Sequence, residues 1–179
     1  MPGAVLLRGD EVALCRVTRE DIEFLAANRN DPAVRGSFPD PTPPTRHDLA
    51  EEFVERYERD DTLPLLVCPR DGGAAPVGLV TLTRIDEAHG TAELGCWITS
   101  DARGEGYATA AARRLLTYAF EERRLERVWA NALATNDASR RVLEKLGFVE
   151  EGCERAAFLV DGERVDRLNY GLLADEFNN

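Results

Sequence analysis

Apolar positions along the chain change period several times, and each change marks an element. Leu6 to Arg16 alternates loosely between apolar and polar, the two-residue period of a half-buried strand. Thr18 then reads as an N-cap, with Asp21 at the capping-box position. Ile22, Leu25 and Ala26 supply the buried face of a first helix, which "RNDPAV" ends. "SFPDPTPPT" is a loop, because proline lacks an amide donor and clashes with the preceding helical turn. Thr45 and Asp48 open a second helix whose Leu49, Phe53 and Tyr57 recur every four residues.

From Leu63 the period becomes that of strands. "LPLLVC" and "PVGLVTLT", separated by "PRDGGAA", predict a hairpin, and "TAELGCWIT" predicts a further strand. Tyr107 to Glu122 carries Ala108, Ala111, Ala112, Leu115, Leu116 and Ala119 on one stripe, the signature of a helix packed on a sheet. "RVWANAL" is another strand. Asn136 or Asp137 begins a short helix carrying Val142, Leu143 and Leu146, and Gly147 ends it. "FVEEGCERAAFLV", the turn "DGE" and "RVDRLNYGLL" form a last pair of strands. The order β-α-α-β-β-β-α-β-α-β-β predicts an α+β fold: a mixed, mostly antiparallel sheet of six to seven strands flanked by about four helices. Neither repeat nor linker divides the 179 residues, so one domain spanning 1–179 is expected.

Composition narrows the partners. Hydrophobic residues make up 44% of the chain and no apolar run reaches the roughly 20 residues of a membrane span. The N-terminus has no basic lead and too short an apolar core for a secretory signal, so a soluble, cytoplasmic protein is expected. Cys15, Cys68, Cys96 and Cys153 are widely spread, without a CxxC pair, which speaks against zinc and for free thiols in a reducing compartment. A net charge of −11 disfavours nucleic acid. Lys145 is the only lysine among the 22 basic residues, a bias that fits either a high-salt cytosol or an arginine-favouring genome.

Candidate chemistry begins at "ARGEGYATAA", residues 102–111. A helix start leaves amide N–H groups unpaired and carries partial positive charge, so it attracts anions. Gly104 and Gly106 let the backbone curl so that several N–H groups converge, and Ala108 is small enough to allow close approach. The competing reading is a tight strand-to-helix connection that binds nothing. Thr109 occupies the third-glycine position of a dinucleotide fingerprint, which excludes that motif.

Arg103, Gly106 and Ala108, followed by Asn136, Lys145, Gly147 and Phe148, give the chain a resemblance to the GNAT superfamily of acyl-CoA-dependent N-acyltransferases. "RGEGYATAAARRLLTYAFEE", "NDASRRVLEKLGF" and Glu151–Gly152 are most similar to its RimJ/RimL-type branch, which acetylates protein N-terminal amines. Other branches act on polyamines, antibiotics and amino acids. The resemblance implies acetyl-CoA as cosubstrate, with the amides of Arg103, Gly104, Glu105, Gly106, Tyr107, Ala108 and Thr109 around its pyrophosphate. It also implies a bulged "LGCWIT" strand that splays from "RVWANAL", pantetheine pairing near Trp97, Ile98 and Thr99, and an Ile98 N–H directed at the thioester carbonyl. Asn136, which also reads as a plain N-cap, is a candidate contact for pantetheine, and Arg140 and Arg141 are candidates for the 3′-phosphate, with solvated helix arginines as the alternative.

Direct transfer requires a neutral amine and protonation of the departing thiolate. An α-amine near pKa 8 asks less of a base than a lysine near 10.4. Glu93 shares a strand face with Gly95 and Trp97 and is the first candidate base; a solvated strand glutamate is its competing reading. Asp166 on the last hairpin is the weaker candidate. Many family members carry a tyrosine acid where this chain has Leu143. Ser139, on the inward helix face, is the candidate that meets the CoA sulfur, and a plain first-turn serine is the alternative. The expected acceptor is an amine, either a protein N-terminus or a small cationic amine. No nucleic acid, membrane or metal is expected, and the assembly is a monomer or homodimer. A non-catalytic acyl-CoA-binding module is the rival function.

Overall fold

A helix with one apolar stripe needs a flat apolar surface, and the strands of this chain supply it. The computed structural model describes residues 2–31, 34, 45, 47, 60–70 and 75–177. Its strands are β1 (Val5–Arg8), β2 (Val12–Arg16), β3 (Leu63–Pro69), β4 (Gly78–Asp86), β5 (Thr91–Ile98), β6 (Arg127–Leu133), β7 (Val149–Val160) and β8 (Glu163–Leu173). They form one sheet in the order β1-β2-β3-β4-β5-β6-β8-β7. Every neighbouring pair is antiparallel except β5–β6, which is parallel.

The sheet therefore has eight strands rather than six or seven. The extra one comes from the N-terminus, where the single strand expected over Leu6–Arg16 is a hairpin. Gly9 N–H donates to Val12 O at 2.9 Å, so "GDE" is a turn and not strand interior. Among the described residues the helices are α1 (Ile22–Arg29), α2 (Tyr107–Thr117) and α3 (Asp137–Lys145). The predicted second helix through Leu49, Phe53 and Tyr57, and the proline-rich loop with Phe38, lie outside the described residues.

Local sequence sets the helix ends. Thr18 N–H and Oγ1 each donate to Asp21 Oδ2 at 2.8 Å, the capping box that starts the turn leading into α1. α2 runs on through a wider π-type turn over Tyr118–Glu122. Asn136 caps α3 by accepting the Ser139 N–H at 3.1 Å, and Gly147 adopts a φ of 90° two residues after α3 ends.

The predicted stripe is the buried one: Ala111, Leu115, Leu116 and Ala119 are fully buried against Val80, Leu82 and Val128 of the sheet. Each such leucine adds about 1.5–3 kcal/mol by leaving water. A smaller cluster lies on the other face, where Leu25 and Phe24 of α1 meet Leu66, Leu79 and Trp97. The Phe24 and Trp97 rings stack with centroids 5.9 Å apart.

Gly78 of β4 lies tight against β5. A Cβ there would stand 2.3 Å from Trp97 O and 3.1 Å from Ile98 Cα. Backbone cannot yield as a flexible side chain does, so Gly78→Ala is expected to lower stability by about 3 kcal/mol. Thermal unfolding with a matched Gly152→Ala control, where a Cβ meets nothing within 4 Å, measures the difference.

Candidate active site

Two adjacent parallel strands end on the same edge of a sheet, so the loops that leave them sit side by side. β5 and β6 pair only from Thr91 to Glu93 and from Arg127 to Trp129. Beyond that point β5 stays on β4 and β6 stays on β8, and a gap opens between them. The expected splay is therefore present, but the expected bulge in "LGCWIT" is not, because Gly95 to Ile98 pair without a break against Thr81 to Gly78. The bulge lies on β4, between Thr83 and Asp86, opposite Glu93 and Thr91. A bulge adds local twist, and this one falls where β5 leaves β6.

Backbone direction follows from the ladder. Thr99 N–H donates to Val77 O at 2.8 Å, toward β4. Main-chain groups alternate sides along a strand, so Ile98 and Cys96 turn theirs toward the gap. Trp97 and Thr99 point theirs the other way. Of the three strand residues expected to meet pantetheine, Ile98 thus turns its main chain toward the gap, and Cys96 is an addition that the sequence reading missed. Arg103 Nε reaches back to Ile98 O at 3.4 Å.

After Thr99 the chain makes a 3-10 turn over Ser100–Ala102 and then passes Gly104 (φ 90°) and Gly106 (φ 85°) into α2. Both glycines occupy the left-handed region, where a side chain is strained. The first intrahelical bond is Ala110 N–H to Gly106 O at 3.0 Å, so the amides of Tyr107, Ala108 and Thr109 precede it at the helix mouth. A Cβ on Gly104 would meet nothing within 4 Å, and one on Gly106 would meet Glu11 Oε2 at 3.7 Å. Glu105 beside them is exposed.

α3 starts from the end of β6. Ser139 is half-buried in its first turn. Arg140 is tied locally: its Nη1 donates to Asp137 Oδ1 at 3.1 Å and to Ala134 O at 3.5 Å. Tyr170 beside it further stabilises the charged guanidinium. Leu143 is core, 6% exposed.

Glu93 stands at the last paired position before the gap, and it is not a solvated strand glutamate. Its side chain is 19% exposed. Asn131 Nδ2 donates to Oε1 at 3.0 Å, Thr83 Oγ1 donates to Oε2 at 3.4 Å, and Arg84 Nη1 lies 3.4 Å from Oε2. Arg84 occupies the bulge with a φ of 50°, a conformation that costs a residue other than glycine about 1–2 kcal/mol. From there its guanidinium also sits 5.5 Å from the Trp129 ring centroid. Thr83, Arg84 and Asn131 escaped the sequence reading. In the structure Val80, Leu82 and Ile85 face one core, and the step from two residues to three marks the bulge.

Asp166 has a structural task. Its Oδ1 accepts the Ala156 N–H at 2.6 Å and its Oδ2 accepts the Cys153 thiol at 3.6 Å, bracing an irregular stretch of β7. Burial pushes the Cys96 thiol up to about 12, so no thiolate stands beside the gap at neutral pH. Burial, with Cys15 as neighbour, pushes Cys68 to about 12 as well. Brief iodoacetamide labelling of the folded protein at pH 8 is expected to leave both unmodified, and peptide mass spectrometry reads this directly. No group of histidine, cysteine or carboxylate side chains suited to a metal occurs among the described residues.

The acetyltransferase (GNAT) domain family model matches residues 11–149. YdaF of Bacillus subtilis, named provisionally as a ribosomal N-acetyltransferase, is 43% identical over 100 residues, which is 56% of this chain and 55% of YdaF. The chain thus spans little more than half the length of that relative. A spermidine N(1)-acetyltransferase of Vibrio cholerae is 25% identical over 169 residues, covering 94% of this chain and 96% of that one. The crystal structure of the Vibrio cholerae spermidine N-acetyltransferase with CoA and spermine superposes with a TM-score of 0.87 at 22% identity, over 94% of this chain and 99% of that one.

Proposed function

Since the chain belongs to the GNAT acetyltransferase family, we propose that it moves an acetyl group from acetyl-CoA directly to a primary amine, with a protein N-terminal α-amine as the acceptor, as in the RimJ/RimL-type branch. The observation that carries this reading is the parting of β5 from β6 immediately after Glu93. The gap joins the two faces of the sheet, so an amine arriving beside Glu93 can meet a thioester held from the side of α2 and α3.

Within this reading the residues divide the work. The amides from Arg103 to Thr109, opened by two left-handed glycines, fit a diphosphate, since backbone donors bind an anion even on an acidic protein. Ile98 directs main-chain groups at the acetyl and pantetheine region. Glu93 accepts the proton of the ammonium, directly or through a water, and Ser139 at the start of α3 donates toward the sulfur. Asn136 and Arg140 border the entry beside α3.

The acceptor class rests on two supports. The ribosomal relative shares 43% identity. Among the described residues, three carboxylates on the face of the sheet that carries Glu93 are matched by arginine: Arg127 grips Glu151 with contacts of 2.7 and 2.5 Å, Arg167 pairs with Glu154, and Arg84 pairs with Glu93. A row of carboxylates each neutralised by an arginine offers a polycation little. The second reading, polyamine acetylation, draws on the full-length alignment with the Vibrio cholerae enzyme. CoA release measured across N-terminal peptides, spermidine, spermine, amino acids and aminoglycosides decides between them. Peptides are expected to give the highest kcat/KM; a polyamine that outruns every peptide overturns the assignment, and CoA binding without turnover on any amine supports the non-catalytic module.

A further inference from the structure

Arg84 has no place in the transfer step, yet it fills the position where a cationic acceptor has to arrive. Its guanidinium lies 3.4 Å from Glu93 Oε2 and 5.5 Å from the Trp129 centroid. A carboxylate beside an aromatic face is the chemistry that recognises an ammonium ion. The remaining oxygen of Glu93 is taken by Asn131 at 3.0 Å, and Thr83 holds Oε2 only at 3.4 Å, so the cation position on Oε2 is the exchangeable one. The Arg84 side chain is 71% exposed, so its guanidinium is well solvated once it swings into water, and Asn131 and Thr83 still donate to the Glu93 carboxylate it leaves, which is 19% exposed and open to another cation. Its backbone is held at a φ of 50° by the bulge, which fixes where the guanidinium returns.

We propose that Arg84 is a built-in stand-in for the acceptor: its guanidinium occupies the ammonium subsite formed by Glu93 and Trp129, and the incoming amine must displace it. Arg84 thereby sets specificity. Acceptors that make contacts beyond the ammonium outcompete it, and small free cations are held off the carboxylate. The inference rests on the acetyl-transfer reading above, because it takes Glu93 to be where the amine binds.

The test uses the full chain with Arg84→Gly, which relieves the left-handed backbone, and Arg84→Lys, which keeps a cation. Two readouts are taken. In turnover, Arg84→Gly is expected to lower the KM of a short peptide or small amine about fivefold, while Arg84→Lys remains near the parent and acetyl-CoA affinity is unchanged. In the absence of turnover, titration with methylguanidinium is followed by tryptophan fluorescence. Arg84→Gly is expected to bind it at least fivefold more tightly than the parent, and the added change Trp129→Phe is expected to abolish the response. An amine KM that rises or stays constant in Arg84→Gly, or equal methylguanidinium affinity in parent and variant, overturns the proposal. Calorimetry with CoA separates the two ideas: failure to bind CoA removes the acetyltransferase reading, whereas the fluorescence titration still decides the role of Arg84.

Discussion

Glu93→Gln is expected to lower kcat by about 10²–10³-fold while the Kd for acetyl-CoA stays within about twofold of the parent. The amide keeps the shape of the side chain and can still accept from Asn131, whose Nδ2 stands 3.0 Å from Oε1. It cannot take a proton from the acceptor. A positioned general base contributes about 10²–10⁴-fold, and the size of the loss reports how much of that range Glu93 supplies. Cofactor affinity is spared because the glycine loop and the helix mouth belong to different elements from Glu93. An Asn131→Ala variant is expected to fall between the parent and Glu93→Gln, since it releases the shorter of the two hydrogen bonds that orient the carboxylate. Steady-state kinetics paired with calorimetry reads both quantities, and a kcat within threefold of the parent removes Glu93 from the chemistry.

Gly106→Val is expected to weaken acetyl-CoA binding about a hundredfold without unfolding the protein. Gly106 precedes α2 with a φ of 85°, and a β-branched residue in that region costs about 1–2 kcal/mol for the backbone alone. The chain is expected to answer by rotating the loop, which withdraws amides from the diphosphate they are proposed to hold. A hydrogen bond to a charged group is worth about 1.5–3 kcal/mol, so the loss of one accounts for most of a hundredfold change, about 2.7 kcal/mol. Inside the protein there is room for the new Cβ, with Glu11 Oε2 at 3.7 Å its closest contact. Circular dichroism is therefore expected to remain that of the parent while calorimetry registers the loss. The same substitution at Gly152, away from the loop, serves as the control.

How far the sequence carries depends on the length scale of each signal. The α2 stripe is legible because six apolar positions repeat at helical period, and it is the stripe that the core buries. The glycine loop is legible because no other residue enters the left-handed region so cheaply, and Gly104 and Gly106 are both found there. α3 announces itself through Asn136 and Gly147. Two features lay below that resolution. The hairpin within the first strand hinges on a short turn between two apolar stretches, so loose alternation passes across it unbroken. The bulge at Arg84 is a slip of one residue, visible only once Val80, Leu82 and Ile85 are known to share a face.

Site residues show the same division. Gly104 and Gly106 act through their own backbone, so their type is their signal. Glu93 is readable as a carboxylate on the right strand face, but its partners are not. Asn131 and Arg84 reach it from β6 and β4, 38 and 9 residues away in the chain, and the contacts exist only because the sheet brings three strands to one place. Asp166 reads as an exposed hairpin acid, and its use in bracing β7 depends on a left-handed Ala156 that local sequence does not announce.

Backbone amide shifts of the labelled protein, followed as CoA is titrated in, test the account most directly. The largest changes are expected at Gly104 to Thr109, with a second group at Cys96 and Ile98, whose main chain faces the gap. Little is expected at Thr99, whose N–H is already given to Val77. If CoA binds while the amides from Gly104 to Thr109 stay where they are, the donor lies elsewhere and the catalytic role given to Glu93 goes with it.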